Sequence, residues 1–106
     1  IPASINRYLK NFQKDGVTWL YSRVGALPRR EGAILADDMG LGKTVQVVSL
    51  LAGLLEKTGT GRDRVELERR VKAGKHASVM GKIVLVVAPS SVVGSWMDHL
   101  ARWGHF

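Results

Sequence analysis

Ala36-Asp37-Asp38-Met39-Gly40-Leu41-Gly42-Lys43-Thr44 follows a short apolar run, Gly32-Ala33-Ile34-Leu35, and precedes an apolar-periodic segment, Val45 to Leu55. The order implied is a β-strand at 33–36, a glycine turn and a helix at 43–56. Gly40, Gly42, Lys43 and Thr44 fit a phosphate-binding loop. Glycines reach positive φ and, lacking Cβ, let backbone N–H groups close around phosphate oxygens. The helix that follows turns its N-terminal N–H groups on the same anion. Lys43 would then reach the β- and γ-phosphates, and the Thr44 hydroxyl would ligate Mg²⁺. The strict pattern has a glycine where Asp37 stands, so the loop is a variant. A plain turn with Lys43 solvated in the first helical turn is the alternative.

A chain of 106 residues is one domain or part of one, and 45% apolar residues suffice for a core. The formal net charge of +7 favours a polyanionic partner, either nucleic acid or an acidic membrane surface, although it also supplies plain solubility. The absence of cysteine excludes disulfides, thiolate zinc sites and a cysteine nucleophile. No apolar run is long enough to span a membrane, and Ile1-Pro2-Ala3-Ser4 does not open a signal peptide. With no initiator Met, the chain is expected to be excised from something longer.

Residues 5–24 read as an amphipathic helix, or a pair of turns broken near Gly16. Ile5, Tyr8, Leu9 and Phe12, then Val17, Leu20, Tyr21 and Val24, carry the apolar face. Gln13 sits on the apolar edge beside Phe12. Its amide can accept from and donate to one base edge, as adenine demands, or can simply be an exposed glutamine. Pro28 and Arg29-Arg30-Glu31 mark a loop. In the helix at 43–56, Val45, Val48, Leu51, Ala52 and Leu55 form the expected buried stripe. Residues 57–82 are basic and punctuated by glycine, which suggests an exposed insertion with a short charged helix at 62–72. It would be a solvated loop or a phosphate contact. Ile83-Val84-Leu85-Val86-Val87-Ala88 lacks alternation and is expected to be a central parallel strand ended by Pro89. Ser90 or Ser91 would cap the next helix, with Val92, Val93, Trp96, Leu100 and Trp103 on its packed face and Ser95, Asp98, His99 and Arg102 more exposed. The class expected is α/β, a parallel sheet with helices on both faces and ligands beyond the carboxyl ends of its strands.

Three blocks in order resemble one family, the SWI/SNF-type helicase-like ATPases of superfamily 2. Leu9-Lys10-Asn11-Phe12-Gln13-Lys14-Asp15-Gly16-Val17-Thr18-Trp19-Leu20 looks like the Q-motif segment. Ile34 to Thr44 is similar to motif I, with Asp38 in place of the usual Glu. Val86-Val87-Ala88-Pro89-Ser90-Ser91-Val92-Val93-Gly94-Ser95-Trp96, followed by Trp103, resembles motif Ia. Ser95 stands where Asn commonly precedes the Trp, and Asp98 where Glu is frequent. Ile5-Asn6-Arg7-Tyr8-Leu9 and the Asp-Asp pair lean toward the excision-repair branch.

The resemblance implies that 1–106 is the amino-terminal part of the first of two RecA-like (P-loop) lobes. It implies ATP and Mg²⁺ as cofactors and translocation of the parent along double-stranded DNA in the nucleus, in chromatin remodelling or DNA repair. Gln13, Asp38, Met39, Gly40, Leu41, Gly42, Lys43 and Thr44 would hold the nucleotide, with Lys43 catalytic and Thr44 on the metal. Ser90 and Ser91 would touch DNA. No apolar strand ending in Asp-Glu follows, and the second lobe with its arginine finger is absent, so the piece alone is expected to be inactive or nearly so. The alternatives are a truncated DNA- or protein-binding module without ATPase activity, and an unrelated phosphate-loop enzyme such as a small-molecule kinase.

Overall fold

A computed structural model describes residues 1–25, 31–73, 84–104 and 106 of the chain. Its elements are α1 (Ala3–Asn6), α2 (Asn11–Val24), α3 (Lys43–Leu54), α4 (Gly61–Lys72) and α5 (Ser90–His99), the last running into a π-helical turn at Leu100–Gly104.

The expected parallel sheet is not there. Among the described residues there is no strand: 33–36 and 84–88 carry no ladder, and Ile83 lies outside the described residues. Both segments are open, with Ile34, Leu85 and Val87 each more than four-fifths exposed. A β-branched run is buried on both faces only when flanking strands and covering helices surround it. Here the two apolar runs do not pair with each other, and helices supply the core instead.

α3 is the centre of that core. Its apolar residues are not confined to one stripe, so it buries two flanks. On one side Ala52 packs with Ile5 and Leu9, joined by Val45 and Trp103. On the other, Leu50 packs with Val17 and Leu20 of α2, backed by Val24, Ala33, Leu35 and Leu54. Full burial of each such aliphatic side chain stabilises by roughly 1.5–3 kcal/mol. The stripe expected from spacing is thus partly displaced: Val48, Leu51 and Ala52 are buried, Val45 and Leu55 only half so, while Gln46 and Ser49 are fully enclosed. Ser49 satisfies its hydroxyl by donating to Val45 O at 2.6 Å.

The break in the amino-terminal helical stretch falls at 7–10, not near Gly16. α2 runs unbroken through Gly16, where a Cβ would lie 2.3 Å from Gln46 Oε1. Gly16 therefore lets α2 and α3 approach closely. α3 closes in a Schellman arrangement: Lys57 N–H bonds Ala52 O at 2.8 Å and Glu56 N–H bonds Gly53 O at 3.2 Å. The left-handed position in it belongs to Glu56, at φ 54.

The charged helix expected at 62–72 is α4, which is exposed and carries Arg64–Glu68 and Arg69–Glu66 ion pairs; residues 74–82 lie outside the described set. Asp63 in its first turn accepts from Thr58 N–H (3.1 Å), the Thr58 hydroxyl (2.8 Å) and Gly59 N–H (2.8 Å). Partial burial pushes its carboxyl up, but these three donors, with the nearby Lys57 charge, outweigh that and hold it below the ordinary 3.8. Neither Ser90 nor Ser91 caps α5; Pro89 precedes its first turn with no side-chain cap. Its expected packed face is thinner than the spacing suggests: no residue of α5 is buried, while His99 is half-buried.

Three outcomes follow from these contacts. Glu56→Gly raises stability by about 1 kcal/mol in urea unfolding, since glycine relieves the left-handed penalty. Gly16→Ala lowers stability, because the displaced Gln46 amide outweighs a helix-propensity gain of about 1 kcal/mol. In a Gln46→Ala background the same change becomes stabilising, and a cycle of the variants reads the reversal. Asp63 contributes stability above its unfolded pKa that is lost as pH falls through its lower folded pKa. Amide protection of Thr58 and Gly59 therefore declines below pH 3.8, and Asp63→Asn abolishes that dependence.

Candidate nucleotide-binding site

The loop 37–42 leaves the open segment 31–36 and enters α3. Gly40 and Gly42 have φ 83 and φ 81, conformations that a side chain strains. At Gly42 a Cβ would also stand 2.4 Å from Gln13 Nε2. Two independent reasons therefore require glycine at that position. Gly42 is the residue before α3, and its carbonyl accepts the first helical bond from Gln46 N–H at 3.2 Å. The N–H groups of the first turn have no acceptor inside the helix and face the loop end of α3.

Lys43 folds back across the loop. Its ammonium donates to the carbonyls of Asp37 and, at 2.9 Å, of Asp38. A cation is thus held where the loop carbonyls converge, beside the amino end of a helix, and a phosphate would draw it outward. Met39 is 94% exposed at the loop tip, and Asp38, Gly40 and Leu41 are exposed with it. Gly42, Lys43 and Thr44 are half-buried.

Gln13 is enclosed, at 8% exposure, and not the solvated residue that was the alternative reading. Its Oε1 accepts from Lys10 N–H at 2.9 Å, capping the start of α2, and its Nε2 donates to Leu41 O at 2.9 Å. One amide thereby ties α2 to the loop. The carboxamide retains one unused lone pair and one unused N–H.

Gln46 is the residue that pattern reading missed. It is fully buried, and its Nε2 donates to Asp37 Oδ2 at 2.9 Å, while its Oε1 points at Gly16 without a hydrogen-bond partner. A glutamine on α3 facing a mid-helix glycine of α2 was the available signal. Asp37, which departs from the strict loop pattern, is held through this bond.

The structure thus gathers Gln13, 37–44 and Gln46 at one end of α3. Ser90 and Ser91 open α5, both exposed, and no hydrogen bond among the described residues joins them to the loop. No group of three or more His, Cys, Asp or Glu among the described residues could hold a metal ion. A cation at Thr44 would depend on phosphate oxygens for most of its ligands.

Comparison with known proteins bears on this geometry. The SNF2-related domain matches residues 12–105. DNA excision repair protein ERCC-6-like 2 of Mus musculus is 44% identical over 110 residues, covering all of this chain. Switch 2 of Arabidopsis thaliana is 37% identical, again over the whole chain. DNA repair and recombination protein RAD54 of Oryza sativa subsp. japonica is 36% identical over 92% of it. The chain spans only 7%, 11% and 9% of the length of these relatives. No solved structure matches it. The match across the loop, Gln13 and the start of α5 makes this chain a member of the SNF2-related domain family, the SWI/SNF-type helicase-like ATPases, with excision-repair proteins among its relatives.

Proposed function

We propose that this chain forms the ATP-binding segment of a DNA-dependent ATPase of the SWI/SNF type, a double-stranded DNA translocase working in the nucleus. The observation that carries the reading is the Lys43 ammonium, gathered by the carbonyls of Asp37 and Asp38 across a loop whose Gly40 and Gly42 are both left-handed. A triphosphate offers that ammonium stronger, charge-assisted partners. Lys43 then neutralises charge on the terminal phosphates, and the first-turn N–H groups of α3 bind their oxygens.

Thr44 would supply one oxygen to Mg²⁺, which would neutralise phosphate charge. Gln13 offers its spare N–H and lone pair to the Watson–Crick or Hoogsteen edge of adenine while keeping Leu41 O and Lys10 N–H. Gln46 holds Asp37, so the first residue of the loop stays fixed while Lys43 moves. Exposed Ser90 and Ser91 at the start of α5 serve DNA phosphates, in keeping with the net charge of +7. Phosphoryl transfer further requires a water-positioning group and a stabilising arginine, each placed on the reacting phosphate. The loop 37–44 itself supplies neither. The names of the relatives reported above favour a role in DNA repair.

A second reading, a DNA- or protein-binding module without nucleotide chemistry, draws on the same positive charge. Nucleotide titration separates the two. Lys43→Ala weakens binding of Mg·ATP to this chain at least about tenfold, roughly 1.4 kcal/mol, by isothermal calorimetry. Equal affinity in the variant and the parent overturns the assignment of the loop.

A further inference from the structure

A second cleft is lined by Ser4, Arg7, Tyr8, Gly59, Arg102 and Trp103, none of them a residue of the glycine loop. Tyr8 and Trp103 meet edge to face, with centroids 5.7 Å apart and planes at 72°. Each carries its own guanidinium: Arg7 lies 4.8 Å over the Tyr8 ring, and Arg102 lies 5.8 Å over Trp103. Neither arginine makes an ion pair among the described residues. Asp63, four residues beyond Gly59, is already engaged by Thr58 and Gly59.

Two features point to a built recognition surface. Stacking on a ring holds a guanidinium plane while leaving N–H donors at its edge, the geometry that suits a phosphate or carboxylate. Arg102 and Trp103 also sit in a π-helical turn, a form that is rare and recurs at functional sites. Trp103 is half-buried against the core, so Tyr8 is the exposed aromatic of the cleft. An exposed ring beside arginines favours single-stranded nucleic acid over an acidic peptide, because each unpaired base has a face to stack and each linkage an anion to bind. A duplex buries those faces. Tyr8, 60% exposed, is the open platform.

We infer that the Arg7–Tyr8–Arg102–Trp103 cleft binds a single-stranded nucleic-acid segment, one base against Tyr8 and neighbouring phosphates on the two arginines. None of its lining residues belongs to the loop at Lys43 or is Ser90, and its occupation does not require the nucleotide reading to hold.

The test is fluorescence anisotropy of the 106-residue chain with a labelled oligothymidylate of about twelve nucleotides, across salt concentrations. Arg7→Gln/Arg102→Gln weakens binding at least about tenfold and reduces the log–log salt slope by about 1.4, the value for two single-strand phosphates. Arg7→Lys/Arg102→Lys keeps the slope and loses only part of the affinity. Tyr8→Leu weakens binding without changing the slope. The glutamine variant retains the parent's circular dichroism and Mg·ATP affinity, which separates this cleft from the glycine loop. Oligonucleotide affinity unchanged in a folded glutamine variant overturns the inference. So does the absence of binding at low salt, a loss of duplex affinity in the glutamine variant as large as its loss of single-strand affinity, or equal displacement by a polyglutamate peptide of matched charge, which assigns the cleft to a protein partner.

Discussion

The fit between Gly16 and Gln46 is the constraint on which the rest of the molecule depends. It sets the separation of α2 and α3, and that separation decides whether Val17, Leu20 and Leu50 meet. The same carboxamide reaches Asp37, so helix spacing and loop position are fixed by one side chain. Its oxygen has no hydrogen-bond partner, an expense in a buried amide of about 1–3 kcal/mol. That expense is tolerated because the amide nitrogen has a carboxylate acceptor, a charge-assisted bond of about twice ordinary strength.

Gln13 repeats the device from the opposite helix. It caps α2 with its oxygen and holds the loop with its nitrogen, so each glutamine joins a helix to one end of the glycine stretch. The loop is then gripped at Asp37 and Leu41 while its tip, at Met39, stands in solvent. Fixed ends with a free tip suit a ligand that must enter and leave. They also account for the half-buried state of Gly42 and Lys43 between exposed neighbours on one side and a buried helix on the other.

Much of the loop was legible in the sequence because glycine and lysine act locally. A positive φ at Gly40 and Gly42 and a helix beginning at Lys43 are consequences of residue type and spacing. The charged helix after Gly61 was legible for the same reason. The sheet was misread because a β-branched run such as Val84 to Val87 states a preference that only neighbouring strands can satisfy. The helix break was misplaced because Gly16 was weighed by propensity alone, whereas its role is steric and belongs to a residue thirty positions later. Gln46 escaped for the complementary reason: a polar residue on an apolar helix looks like a surface position until its partner across the interface is known.

The fold-back of Lys43 has a thermodynamic corollary. Because the ammonium is already satisfied by two carbonyls, any incoming anion exchanges partners with it and does not gain the full strength of a new bond. The loop keeps its shape through that internal substitute, so little ordering entropy is spent on arrival. The net enthalpy of capture is correspondingly small. Under the proposed nucleotide reading, a grip of this kind would favour rapid exchange of a phosphate tail over long residence.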